Sequence, residues 1–211
     1  MRHISHMTLV ASDDRIETER LVLRRIAADD LPFYARIHAN PDVAQYLAHG
    51  RPRLLDETRA WLETVVESYR TISLGQLAIT RRSDGALLGR CGLSYLETDP
   101  TPAPDGTHTG YYYPSRAPDG VIPVVESELG YTLDQAAWGQ GYAREAVQAI
   151  HQYAMTTRPA GRVVSLIHPD NDRSRRLADR FRVTLVDRVT LWERAFDRYV
   201  WPSGNSPSTE R

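Results

Sequence analysis

Apolar positions along the chain change period several times, and each change predicts an element. Residues 19–25 (ERLVLRR) alternate as a half-buried strand does. Asp29 and Asp30 then offer a helix N-cap, with Pro32 in the first turn. Leu31, Tyr34, Ile37 and His38 recur at helical spacing. Asn40-Pro41 ends that helix, because a residue before proline is pushed out of the helical region. A short helix over 42–47 follows. Asp56 is placed to cap a longer one, whose apolar face is Trp61, Leu62, Val65, Val66 and Tyr69.

The period then drops to two. Residues 76–82 and 86–95 predict two strands joined by Ser83-Asp84-Gly85, a hairpin signal. Residues 97–123 carry Pro100, Pro102, Pro104, Pro114, Pro118 and Pro123 and predict a long loop. Loops of that length inside a domain are functional or disordered. Tyr111, Tyr112 and Tyr113 argue against complete disorder; they either line an acceptor pocket or pin the loop to the core. A strand over 126–133 leads into a glycine-rich turn at 139–143. The clearest helix of the chain follows, with Ala143, Ala146, Val147, Ile150, Tyr153 and Ala154 on one face. A strand over 162–168, a helix over 171–180 and strands over 183–191 and 194–201 complete an α/β layered domain.

Bulk properties narrow the function classes. The 211 residues, 41% hydrophobic and 25% charged, suit one domain with a core of its own. A net charge of −1, from 26 basic and 27 acidic residues, gives no general attraction to nucleic acid or an anionic membrane. The single cysteine, Cys91, allows no internal disulfide and no thiolate metal site, and it reads as strand filler. His151 and His168 lack partners at metal-ligand spacing, so no metal is expected. With no long apolar run, the expectation is a cytoplasmic protein. Residues 1–15, beginning MRHISHM, are set aside as a tag remnant and disordered start. Residues 16–202 are the expected domain, and the Ser/Pro-rich 203–211 a mobile tail.

Residues 130–145 (GYTLDQAAWGQGYARE) carry the chemistry: a strand, a glycine turn, then a helix. The first N–H groups of a helix lack internal acceptors, and its dipole is positive there. Glycines let a backbone approach a ligand closely, so the junction either holds a pyrophosphate or is a plain tight turn. Arg144, in the first turn, would add a charge-assisted contact. It is not a P-loop, because no Gly-Lys-Ser/Thr follows, and its spacing is not that of a dinucleotide fingerprint.

Residues 138–143 (WGQGYA) resemble the pyrophosphate loop of the GNAT N-acetyltransferases, Gln/Arg-x-x-Gly-x-Gly/Ala, with Gly141 and Ala143 in the fourth and sixth places. Trp138 stands first, as in the branch resembling the Rim-type ribosomal-protein N-terminal acetyltransferases. TERLVLRRIAADD, GALLGRCGLSYLE and HPDNDRSRRLADR resemble the same branch, in the same order, so the likeness covers residues 18–201. It implies a mixed, mostly antiparallel central sheet flanked by helices in one layered domain. It implies acetyl-CoA as co-substrate, an amine acceptor (a protein N-terminus or a small molecule), and homodimers as a common state. It further implies that the backbone of Tyr131, Thr132 and Leu133 pairs with the pantetheine arm. Trp138, Gly139, Gln140, Gly141, Tyr142, Ala143 and Arg144 would hold the pyrophosphate, Asn171 the pantetheine, and Ser174 would lie near the sulfur. Two places depart from the family. Ala178 stands where many members carry an acidic tyrosine, and Arg182-Val183 replaces a Gly-Phe, which suggests a reshaped turn.

Acyl transfer needs a neutral amine. A lysine amine, with a pKa of about 10.4, needs more help than an α-amino group at about 7.7–8.0. By strand alternation Glu126, Glu128, Gly130 and Thr132 share one face. Glu128 is the preferred base, with Glu126 second; the competing reading makes both solvated charges on an exposed strand. Ser174 is either an acid and sulfur contact or an N-terminal helix residue, and Asn171 either a cap, a pantetheine contact, or both. Arg175 and Arg176 either reach a nucleotide phosphate or are solvated. The leading reading is an acetyl-CoA-dependent acyltransferase acting on a primary amine; polyamine and aminoglycoside acceptors belong to it. The alternative is a non-catalytic acyl-CoA sensor, which Ala178 favours.

Overall fold

The computed structural model describes residues 9–10, 15–70, 75–112, 116–157 and 161–203. In chain order the elements are β1 (Leu9–Val10), β2 (Arg15–Glu17), β3 (Leu21–Arg25), α1 (Leu31–His38), α2 (Pro41–Ala44), α3 (Leu55–Ser68), β4 (Gln76–Arg81) and β5 (Leu87–Thr98). Then come β6 (His108–Tyr112), β7 (Val124–Leu133), α4 (Tyr142–Thr157), β8 (Val163–Ile167), α5 (Asp172–Arg180), β9 (Thr184–Leu191) and β10 (Arg194–Val200). Two compact units result: Met1–Ser94 with Gly130–Ile150, and Tyr95–Leu129 with His151–Arg211.

In the first unit β1 to β5 pair antiparallel in sequence order. Leu9 and Val10, inside the stretch expected to be disordered, pair with β2. Leu21, Leu23, Leu77 and Ile79 are fully buried. On one face Ile26, Tyr34, Ile37, Leu62 and Val65 pack with Ala78, which seats α1 and α3 on the sheet. Before α1, the Asp30 carboxylate accepts the Ala27 N–H at 2.9 Å and two Arg24 bonds at 2.8 Å each. The second helix is Pro41–Ala44, not 42–47, because the Asn40 side chain accepts the Asp42 N–H and starts it earlier. Asp56 does not cap α3. Glu57, one residue later, accepts the Leu54 N–H at 2.8 Å, and Asp56 is exposed in the first turn.

Close approach of backbones shapes the region beside the glycine turn. A Cβ on Gly89 would lie 2.1 Å from the Thr132 carbonyl oxygen and 2.8 Å from Leu133 Cα. Only glycine lets β5 and the end of β7 lie this near. The β4–β5 register shifts at Ile79/Thr80, beside Gly89. The Tyr34 hydroxyl donates to the Gly89 carbonyl at 3.1 Å.

In the second unit the end of β5 pairs with β6, from Leu96↔Tyr112 to Thr98↔Gly110. β6 runs parallel to β9, β9 and β10 form a hairpin, β10 pairs antiparallel with β8, and β8 runs parallel to β7. The sheet is therefore mixed and mostly antiparallel. Leu96, Val164, Val189, Leu191 and Phe196 form one core, and α5 rests Ala178 against Ile167 and Tyr199.

Residues 97–123 are not all loop. β6 lies inside them, and Tyr112 stacks on Trp192 with ring centroids 5.6 Å apart, so this tyrosine pins the segment. Tyr113 lies outside the described residues, as do residues 204–211 of the expected tail. The turn after α5 keeps a glycine-like backbone. Arg182 takes φ 55°, the left-handed region that favours glycine.

Candidate active site

β7 delivers Tyr131, Thr132 and Leu133 to the start of the turn. Thr132 is buried, and among the described residues its hydroxyl oxygen has no hydrogen-bond partner. The Trp138 indole Nε1 donates to the Leu133 carbonyl at 3.1 Å, which ties the turn back to the strand it leaves. Between them Asp134 caps a 3-10 turn over Gln135–Ala137 and accepts from Arg36 Nη2 at 2.6 Å. Gln140 folds its side-chain amide onto the Ala136 carbonyl at 2.8 Å.

Gly139 and Gly141 stand at φ 75° and φ 82°. These left-handed positions turn the chain abruptly into α4, at whose start Tyr142 is buried. The first bond along α4 runs from the Glu145 N–H to the Gly141 carbonyl at 3.1 Å. The N–H groups of Tyr142, Ala143 and Arg144 therefore have no acceptor inside the helix. Arg144 is exposed and Ala143 half-buried. A set of free amides, a positive helix end and an exposed guanidinium together suit an anion.

A brace that the sequence did not reveal holds this turn. Glu145 accepts from the Thr18 hydroxyl at 2.6 Å, the Arg20 N–H at 2.8 Å and Arg20 Nε at 2.7 Å. Arg20 Nη1 donates to the Gln140 carbonyl at 3.0 Å, and its guanidinium lies 4.7 Å from the Tyr142 ring centroid. Burial alone would raise the Glu145 pKa. The Thr18 hydroxyl and the Arg20 N–H and guanidinium outweigh that and hold it below the ordinary carboxylate value.

Glu128, Asn171 and Ser174 belong to the second unit. Neither glutamate of β7 is a solvated charge: Glu126 is 3% exposed and Glu128 8%. The reason is that β7 pairs with β8, Glu128 lying opposite Val164. Glu126 is committed to an ion-pair network, with Arg198 Nη1 at 2.7 Å and Arg162 Nε at 3.3 Å. Arg198 also donates from Nε to Asp187 at 2.7 Å. Glu128 lies two residues further along the same strand. Asn171 caps α5, its Oδ1 accepting the Ser174 N–H at 3.1 Å. That bond uses the amide oxygen and not the Nδ2 donors. Ser174 is half-buried in the first turn. Arg175 turns onto the Pro169 carbonyl at 3.2 Å, while Arg176 is exposed. Ala178 is 5% exposed and enclosed by apolar neighbours, so no acid stands there. The two weighed histidines face rings: His151 packs on Trp201 and His168 on Phe196. Cys91 is buried in β5.

The model of the acetyltransferase (GNAT) domain matches residues 20–184. The chain belongs to the GNAT acetyltransferase family. It is therefore an acyltransferase, of a family that uses acetyl-CoA. Bacillus subtilis YkkB is 22% identical over 192 residues, covering 90% of this chain and 97% of YkkB. An acetyltransferase structure from Agrobacterium tumefaciens superposes with a TM-score of 0.66 at 25% identity, covering 94% of this chain and 99% of that one. The ribosomal-protein alpha-N-acetyltransferase RimL, solved in complex with coenzyme A, superposes with a TM-score of 0.60 at 17% identity, covering 87% of this chain and 93% of RimL.

Membership explains why the GNAT turn was legible and its brace was not. Glycines at 139 and 141 announce themselves locally. Arg20 and Glu145 are 125 positions apart, and no local pattern joins them.

Proposed function

We propose that this GNAT enzyme transfers the acetyl group of acetyl-CoA directly to a primary amine, and that the glycine turn opening α4 holds the pyrophosphate. The observation that carries the reading is the pair of left-handed glycines at the head of α4, ahead of amides that the helix does not use. Bound acetyl-CoA supplies an activated acetyl thioester. The residues of the chain do the rest.

The amides of Gly139, Gln140, Gly141, Tyr142, Ala143 and Arg144, with the Arg144 guanidinium, bind the pyrophosphate charge. Trp138 and the Arg20–Glu145 brace keep the turn in shape before ligand arrives, which lowers the ordering cost of binding. The backbone of Tyr131, Thr132 and Leu133 takes the pantetheine arm, and the unpartnered Thr132 hydroxyl is a spare polar group at that place. Asn171 donates from Nδ2 to the same arm while capping α5, and Ser174 lies near the sulfur, where, as the C–S bond breaks, its hydroxyl relays to the departing thiolate the second proton, which the newly acylated nitrogen gives up. Glu128 takes a proton from the acceptor ammonium and so generates the neutral nucleophile.

The test is thiol release from acetyl-CoA over a panel of small primary amines and peptides with free N-termini. The native protein releases thiol only when an amine is present. Glu128→Gln lowers kcat by about 10²–10⁴-fold, the usual worth of a general base, and leaves acetyl-CoA affinity unchanged. Unaltered kcat across the pH range would remove Glu128 from the mechanism, and release without amine would remove direct transfer.

A further inference from the structure

Beside the strand end assigned to the pantetheine arm, the first unit holds a positively charged aromatic cluster. The Arg53 and Arg90 guanidinium carbons lie 5.9 Å and 5.5 Å from the centroid of the same Trp61 indole. His38 meets that indole edge-on at 4.8 Å, and its Nδ1 lies 3.4 Å from the Thr58 hydroxyl. Burial first, and then the charges of Arg53 and Arg90, hold the imidazole neutral, with its pKa lowered to about 3. Arg53 is itself lowered to about 10, by burial and then by the charge of Arg90. Two guanidinium groups thus stand close together beside one ring, with the charge of Glu57 acting in the opposite sense on Arg53.

The nearby carboxylate is already engaged. Glu57 accepts two bonds from Arg51, at 2.9 Å and 2.6 Å, and the Leu54 N–H at 2.8 Å. Among the described residues no carboxylate pairs with Arg53. Arg90 Nη1 donates to the neutral Gln76 Oε1 at 2.5 Å, and Gln76 Nε2 in turn donates to Ser94 Oγ at 3.0 Å. Position supplies the second argument. Arg90 follows Gly89, the residue of β5 that approaches the Thr132 and Leu133 backbone most closely. Arg90 shares the sheet face of its pairing partner Ala78, on which α1 and α3 pack. Arg90 therefore stands one residue along β5 from the contact with β7.

We propose that the acceptor carries an oxyanion, a carboxylate or a phosphate, which Arg53 and Arg90 hold against Trp61 while the amine faces β7. A guanidinium pair binds an oxyanion through charge-assisted bonds, and the indole keeps the guanidinium planes in place. The same cations disfavour polyamine and aminoglycoside acceptors. The inference rests on the acyl-transfer reading, so binding is measured apart from turnover.

The experiment is ligand-observed NMR on the protein without acetyl-CoA. The probes are γ-aminobutyrate and phosphoethanolamine, their counterparts lacking the oxyanion, n-butylamine and ethanolamine, and the diamine putrescine. One of the oxyanion-bearing probes binds at least about tenfold more tightly than its counterpart, and which one does so separates carboxylate from phosphate. Arg53→Gln abolishes that preference, and Arg59→Gln, an exposed charge on α3, keeps it. Should Arg53→Gln melt early, Arg53→Met of similar length gives the same reading. No binding of either oxyanion-bearing probe, equal binding of the counterparts that lack the oxyanion, or a preference that survives loss of Arg53 would overturn the proposal. Thiol release with the same probes is scored separately: an anion preference without acetylation keeps this site and refutes the transfer reading.

Discussion

His38 is a buried ring with a neutral state enforced by its surroundings, and that has a measurable cost in acid. Its folded pKa is lowered to about 3, from 6.5, chiefly by burial. The unfolded chain takes up a proton as pH falls through 6.5, and the folded chain does not until far lower. Stability from this group is thus complete above pH 6.5 and declines toward pH 3, by up to about 1.4 kcal/mol per unit. Denaturant melts of native protein and His38→Gln between pH 7 and pH 4.5 should converge as acid is added. Parallel curves would contradict the burial of a neutral ring. Glu145 works on the same scale. Glu145→Gln removes the ion pair with Arg20 and weakens the remaining bonds, a loss of about 1.5–3 kcal/mol in unfolding free energy. The same change weakens acetyl-CoA binding, because the turn at 139–141 loses its brace. An unchanged dissociation constant would mean that the turn holds its shape without it. Sequence could name the glycines of this turn, whose backbone freedom is a local property. It could not name Thr18, Arg20 and Glu145 as one unit, since only the fold brings them together.

At the scale of elements, periodicity located the strong helices and the paired strands to within a few residues. α4 spans Tyr142–Thr157, and Ala146, Val147, Ile150 and Ala154 of its expected face are buried. β6 escaped because its evidence lies elsewhere in the chain. Its five residues sit among prolines, and its partners are β5 and a parallel β9 far downstream. Gly110 reads as a loop glycine, yet a Cβ there would lie 2.7 Å from Val189 Cγ1 and 3.0 Å from Leu191 Cδ2. The glycine makes room for the side chains of β9. Gly110→Val should therefore destabilise the fold by about 1–3 kcal/mol through overpacking, read by thermal melting. A neutral substitution would show that β6 does not lie on β9. The competing reading of the β7 glutamates as solvated charges failed for a related reason: alternation predicts which residues share a face, but not that Arg162 and Arg198 engage Glu126 there.

For the whole molecule, family and fold were legible because four segments fall in the family's order along most of the chain, and the domain match over residues 20–184 agrees. The acceptor was not, because overall charge is nearly balanced and the cluster proposed to hold it, Arg53, Arg90 and Trp61, is assembled from α3, the segment before it and β5. Among the described residues no helix is long and apolar enough to cross a membrane. The central claim is that the turn at 139–144 binds the pyrophosphate of acetyl-CoA. At Gly141 the backbone is left-handed, and a Cβ would lie 3.2 Å from Arg20 Nη2. Gly141→Asp adds about 1–2 kcal/mol of backbone strain and a carboxylate in the anion's place. The most direct measurement is calorimetric titration of native protein and Gly141→Asp with acetyl-CoA, each shown folded by its thermal melt. The prediction is micromolar binding by the native chain, about −8 kcal/mol, and none measurable by the variant. Equal affinity of the two proteins, or no heat from the native one, would contradict it.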